Sequence, residues 1–422
     1  MDKTAVDLGW GRRNVSGLEA KLGVLSWLAP MVVISLLVAH DPQRRTVTPL
    51  YHAAAAAWGA GKDLYQGPGG MNYLPQFAVI FYPFHWLPAP LGDILWRWLE
   101  AALLASGVWS LCQDLSGNPM GGAGMDKSLS IFPASRSFFY ASLLVMPLCL
   151  AALRNGQANA MLAGLALCAA ASIARRRWWA AAVLIAFLVG VKPLGIVMLL
   201  LAATAYGPLR FRLAATLAAL FLLPFVFAPS GYVAGQFHGF FENIGKCALV
   251  HEDRFADIGG IVRTFGLELP RRLSVIARFA AGPLFLVLWL TGARRLREPL
   301  RAMWLLALAA SYLMLFNPMN EANGYAILAP ALGLWAVAAL KNPATRRFGW
   351  MSVSICLSMS ILPNLLHPVF GNYFALFWHP VMTILFIASL AGLVLRKEKA
   401  WSGGKTDSGC EGLEQTSSGS YV

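Results

Sequence analysis

From Leu22 to Leu395 the chain keeps returning to runs of roughly 20 apolar residues with few charges, parted by short polar tracts. Inside hydrocarbon every backbone N–H and C=O must be satisfied within its own segment, so runs of this length fold as helices. Composition agrees. Hydrophobic residues make up 58% of the chain and charged residues 13%, whereas soluble domains carry about 25% charged residues. The sequence therefore predicts an all-α polytopic membrane protein. Its first run, "LGVLSWLAPMVVISLLVA", has no A-x-A cleavage site and reads as an uncleaved first span.

The same composition excludes other classes. The net charge of +14 sits in short basic tracts between apolar runs, which mark cytoplasmic loops rather than a nucleic-acid surface. There is no zinc spacing, Walker loop or GxGxxG after a strand, and the six cysteines are scattered. No nucleic-acid partner, cofactor, metal or disulfide framework is expected. His52, His85 and His251 show no ligand spacing, and the adjacent acids Glu252 and Asp253 read as a solvated loop.

Topology follows from charge and parity. The N-terminal tail (1–21), "RRR" at 175–177, Arg210 with Arg212, "RRLREPLR" at 294–301, "KNPATRR" at 341–347 and "RKEK" at 396–399 all belong inside. An even number of crossings must separate each from the next. That condition calls for two short spans, 178–191 and 194–206, parted by Lys192-Pro193. It also keeps "NYLPQFAVIFYPFHWLPAP" (72–90), with its four prolines, from crossing, so this stretch reads as re-entrant or interfacial. About twelve crossings result, with both ends cytoplasmic. The 22–400 region is then the membrane domain, with outer loops at 41–90 and 229–271. Residues 401–422, rich in Gly and Ser, read as a disordered tail. In the first loop, Thr48 and Pro49 predict the N-cap and first position of a helix, "LYHAAAAAW", closed by Gly59 and Gly61. Its Trp58 and neighbouring tyrosines suit the headgroup layer.

One face of this map collects polar groups. Asp41, Arg44 and Arg45 follow the first span. "LRNGQAN" (153–159) brings Arg154, Asn155 and Gln157, Lys192 breaks a hydrophobic stretch, and "FNPMNEANGY" brings Asn320 and Glu321. Ionisable groups near a membrane are costly, and interrupted spans usually line a cavity, so these turns mark a candidate site.

The stretches "YHAAAAAWGAGKDLY", "YLPQFAVIFYPFHWLP", "RNGQANAMLAGLAL", "VGVKPLGIVMLLL" and "NPMNEANGYAILAPALG" occur in an order that resembles glycosyltransferase family 87. The resemblance implies a GT-C-type bundle in the bacterial inner membrane, with an extracytoplasmic site. It further implies an inverting transferase that moves a sugar, mannose in many members, from a polyprenyl-phosphate donor to a lipid or glycan acceptor. A carboxylate in the first outer loop would be the base. Many members place that acid shortly before the tyrosine that opens the helix, where this chain has Thr46-Val47-Thr48-Pro49. Asp41 is the nearest acid and takes the role, with Asp63 in reserve. Arg154, Lys192, Arg44 and Arg45 are the expected donor-phosphate ligands. Asn155, Gln157, Asn320, Glu321, Tyr51 and Tyr73 are the expected sugar or acceptor contacts. The chemistry is consistent, since a phosphate leaves readily and one base suffices. A transporter or flippase of a lipid-linked substrate, or a non-catalytic subunit of the same fold, are the alternatives; no internal repeat supports the former.

Overall fold

A computed structural model describes residues 10–66, 71–117, 133–247, 255–267, 270–317 and 319–396. Glu252, Asp253, His251 and the 401–422 tail lie outside the described residues. Among these residues there are sixteen α-helices and no strand. They are α1 (Trp10–His40), α2 (Thr48–Gly59), α3 (Pro75–His85), α4 (Ala89–Leu115), α5 (Ala134–Asn155), α6 (Asn159–Ala174), α7 (Trp178–Val191) and α8 (Ile196–Ala205). The rest are α9 (Leu209–Phe227), α10 (Ser230–Cys247), α11 (Ile258–Thr264), α12 (Arg271–Arg295), α13 (Leu300–Phe316), α14 (Ala329–Leu340), α15 (Arg346–Phe370) and α16 (Tyr373–Leu395).

Seven stretches are long and apolar enough to cross a membrane, and four shorter apolar helices stand beside them. α4, with 27 residues, carries Asp93, Arg97, Glu100 and Asp114. Counting α4, twelve helical stretches among the described residues fall where the sequence places its crossings. Small residues explain the centre. α6 is rich in alanine and nearly all of it is buried, as is α14, which is how helices without a polar face pack inside a bundle. At the rim Leu36, Val226 and Phe279 are 65%, 76% and 78% exposed, a surface suited to lipid.

Proline divides α7 from α8. Lys192 takes extended angles (φ −152°, ψ 132°) ahead of Pro193, and a short 3₁₀ turn, Pro193–Gly195, starts the next helix. α3 does not cross. Its 11 residues rise about 16 Å, half of a hydrocarbon core of about 30 Å. Phe77, Ala78 and Phe81 are buried, and Trp86 beyond its end is exposed.

Two expectations for α2 are corrected. Its N-cap is Val47 rather than Thr48, because the Thr48 hydroxyl donates to Asp93 Oδ2 at 2.8 Å. Tyr51 and Trp58 are buried and face protein rather than headgroups: Tyr51 packs edge-on against Phe77, Phe81 and Trp96, and Trp58 against Tyr232. α10 explains the Trp58 burial by lying on the first loop. Its Gln236 Oε1 accepts from Leu64 N at 2.9 Å, and Tyr232 donates to the Lys62 carbonyl at 2.7 Å. The basic tracts collect at the other end of the bundle. There Arg175 meets Asp114 at 2.9 Å, Tyr206 donates to Glu298 at 2.8 Å, and Arg295 donates to the Leu395 carbonyl.

Candidate active site

At the loop end, the turn between α5 and α6 is the organising element. Gly156 takes a left-handed conformation (φ 65°), and a Cβ on it would lie 2.8 Å from Thr48 Cγ2 and 2.9 Å from the Arg97 guanidinium. Only glycine fits both demands. The turn starts a chain of polar contacts that joins residues far apart in sequence. Lys192 Nζ donates to Asn159 Oδ1 at 3.4 Å, Asn159 Nδ2 to Gln157 Oε1 at 3.1 Å, and Gln157 Nε2 to Glu321 Oε2 at 3.3 Å. Lys192 Nζ also lies 5.7 Å from the centre of the Tyr73 ring, a cation–π arrangement. The Tyr73 and Tyr51 hydroxyls are 2.8 Å apart, and Ala158 N donates to Tyr51 at 3.2 Å. Burial, above all, pushes both phenols up, Tyr73 to about 12. They stay neutral, and neither is a base at neutral pH.

Behind the turn lies a second, more buried set. Arg97, fully buried, donates to the Asp93 carbonyl at 2.8 Å, to Thr46 Oγ1 at 2.7 Å and to the Arg154 carbonyl at 3.3 Å. The Asn155 carbonyl accepts from Val47 N at 3.0 Å and from Thr46 Oγ1 at 3.2 Å. These bonds strap the first loop to the turn. Among the described residues Arg154 Nη1 is buried with no hydrogen-bond partner.

The structure thus joins Gln157, Lys192, Glu321, Tyr51 and Tyr73 in one network, with Arg154 and Asn155 on the turn that holds it. Asn320 lies at the network's edge and is buried; its amide donates to the Ala256 and Met314 carbonyls at 3.0 and 2.9 Å, tying the segment before α11 to α13. Asp41 follows the last residue of α1 and has no side-chain hydrogen bond among the described residues, and Arg44 and Arg45 are exposed in the segment leading to Thr46. Asp63 is exposed and accepts from Tyr65 N at 2.8 Å. None of these four joins the network through a side-chain bond.

Sequence reasoning missed Asn159, Asp93 and Arg97, and it missed that His52 and His85 meet. A signal existed: Asp93, Arg97 and Glu100 recur at helical spacing within an apolar span, so they share one face. Between α6, α7, α8 and α13 is a small apolar cavity, lined by Leu162, Leu188, Leu194, Met198, Leu313 and Ile327 among others. Among the described residues no group of three or more His, Cys, Asp or Glu is arranged to hold a metal ion.

The fold and site define a multi-pass helical membrane protein with a polar centre at one end of its bundle. The sequence profile of glycosyltransferase family 87 matches residues 72–318, more than half of the chain, and the chain belongs to that family. It is a membrane glycosyltransferase. No curated protein matches it. Among solved structures, ArnT from Cupriavidus metallidurans bound to undecaprenyl phosphate is similar over 88% of this chain and 78% of that one, at 16% identity and a TM-score of 0.40.

Proposed function

We propose that the protein transfers mannose from a polyprenyl-phosphate donor to a lipid or glycan acceptor, with inversion, through a GT-C-type site. The site faces the extracytoplasmic side of a bacterial inner membrane, and both termini are cytoplasmic. One observation carries this reading: Lys192, in the break between the apolar helices α7 and α8, belongs to the polar network at the loop end. A lipid-linked sugar phosphate requires that junction, with a cation for the phosphate and hydrocarbon walls for the isoprenoid chain. Arg154, with its buried Nη1, supplies a second cation. Arg44 and Arg45 extend the positive field along the entering loop, and Gln157, Asn155, Asn320, Glu321 and the two tyrosines offer hydrogen bonds to hydroxyl groups. In the transfer the acceptor oxygen bonds to the anomeric carbon, the carbon–phosphate oxygen bond breaks, and the phosphate leaves with the electron pair. The acceptor proton passes to a carboxylate, Asp41 first and Asp63 in reserve.

The test uses full-length protein in liposomes with radiolabelled polyprenyl-phosphate mannose and a panel of lipid and glycan acceptors. A labelled acceptor is expected, and Lys192→Gln should raise the donor KM by about 100-fold. No transfer by the wild type from any polyprenyl-phosphate sugar overturns the reading. Full activity in Asp41→Asn and Asp63→Asn removes both from the role of base.

A further inference from the structure

One titratable cluster stands outside the network described above. Asp93 Oδ1 accepts from His52 Nε2 at 2.9 Å, and His52 Nδ1 lies 3.1 Å from His85 Nδ1. The other carboxylate oxygen, Oδ2, accepts from Thr48, whose hydroxyl is 2.9 Å from that of Thr46, and Thr46 reaches the Asn155 carbonyl. An unbroken run of polar contacts therefore leads from the two imidazoles to the Asn155–Gly156 turn. We propose that His52, His85 and Asp93 form a proton-sensitive positioning unit that holds the 154–157 turn in the shape the donor binds. This inference rests on the transferase reading and adds to it a pH dependence of donor affinity.

The proton count explains the sensitivity. With Nε2–H of His52 given to Asp93, Nδ1 of His52 carries a lone pair and takes the hydrogen on Nδ1 of His85. The contact holds with one hydrogen between the two nitrogens, one of which keeps its lone pair. A second puts hydrogens on both facing nitrogens, and the contact breaks. Burial first, and the neighbouring His52 second, lower the His85 imidazole from its ordinary range. The break therefore falls on the acid side of about pH 6.5. Other groups around the pair are few. α4 contributes Asp93 and, one turn on, Arg97; α3 contributes Tyr82, whose ring centre lies 6.1 Å from that of His85; and α2 contributes Thr48. Asp93 has only 4% of its side chain exposed, so it acts through the turn and not on the sugar.

The test measures donor KM and kcat for full-length protein in liposomes from about pH 5 to about pH 8, the range imidazole spans. Wild type should show KM rising on the acid side while kcat changes little. That limb should be absent in His85→Gln. Asp93→Asn and His52→Gln should raise KM about tenfold at neutral pH with kcat within about twofold. A second readout needs no activity: the unfolding temperature of wild type against His85→Gln. A histidine whose folded pKa is lowered costs stability as pH falls below its unfolded value, so the wild-type advantage should be largest at neutral pH and shrink on acidification. The same acid limb of KM in wild type and His85→Gln, or parallel unfolding curves, overturns the proposal. Absence of any transfer by wild type instead overturns the transferase reading, and the donor-positioning role falls with it.

Discussion

The two ends of the α4–α6 pair are both polar, yet they are built on different principles. At the basic end Asp114 and Arg175 meet directly at 2.9 Å, with 14% and 28% of their side chains exposed. At the loop end Asp93 and Arg97 sit on the same helix and are almost completely buried, but they do not pair side chain to side chain. Arg97 instead spends its donors on two main-chain carbonyls and Thr46, while Asp93 accepts from Thr48 and His52. A partly exposed pair closes a helix end and contributes little. Buried charges are costly unless hydrogen-bonded, and the bonds made by Asp93 and Arg97 tie the first loop, α4 and the Gly156 turn to one backbone shape. The basic end is held by attraction; the loop end is held in register.

Substitutions at both ends test that contrast, each read as the unfolding midpoint of purified protein in detergent. The largest effect belongs to Arg97→Ala, which strands three acceptors in the interior and should cost about 4 kcal/mol. If Asp114→Ala costs as much, the two ends are alike and the distinction fails. Next comes Gly156→Ala, at about 3 kcal/mol, because a left-handed Cβ is strained and would also collide with Arg97. Gly117 at the basic end has a similar φ of 71° and nothing within 4 Å of its missing Cβ. Gly117→Ala should cost only about 1 kcal/mol, and equal losses at the two glycines would show that the tight approach at Gly156 contributes nothing. Gln157→Leu breaks the link between Asn159 and Glu321 and should cost about 1 kcal/mol; double-mutant cycles with Glu321→Gln would sharpen how much of that is coupling. Asp114→Asn should cost less than about 1 kcal/mol, and the loss should shrink in high salt.

Much of this arrangement was legible in the amino-acid order. Arg210, Arg175 and Lys341 fall in short loops, so charge and parity locate the breaks, and Pro193 marks where α7 gives way to α8. The "RNGQAN" turn and Lys192 were legible because a polar residue between two apolar runs is conspicuous. Asp93 and Arg97 were hidden by their position inside a span, where the count of apolar residues dominates. The meeting of His52 with His85 was hidden for another reason. Their separation of 33 residues has no periodic meaning, and only the folding of α3 back against α2 makes them neighbours. Thr48 shows how tertiary context overrides a local rule: its sequence position favours capping, yet a buried carboxylate claims its hydroxyl.

By itself the sequence determined that this chain spans a membrane as helices and which turns share one side, because hydrophobic run length and basic loops answer to the bilayer, a solvent the same everywhere along the chain. Only the tertiary structure decided which polar groups meet, since a hydrogen bond needs partners within about 3 Å and no pattern along the chain encodes that distance. The joining of Lys192, Asn159, Gln157 and Glu321 into one line, with Arg97 locked behind it, is a property of the packed bundle.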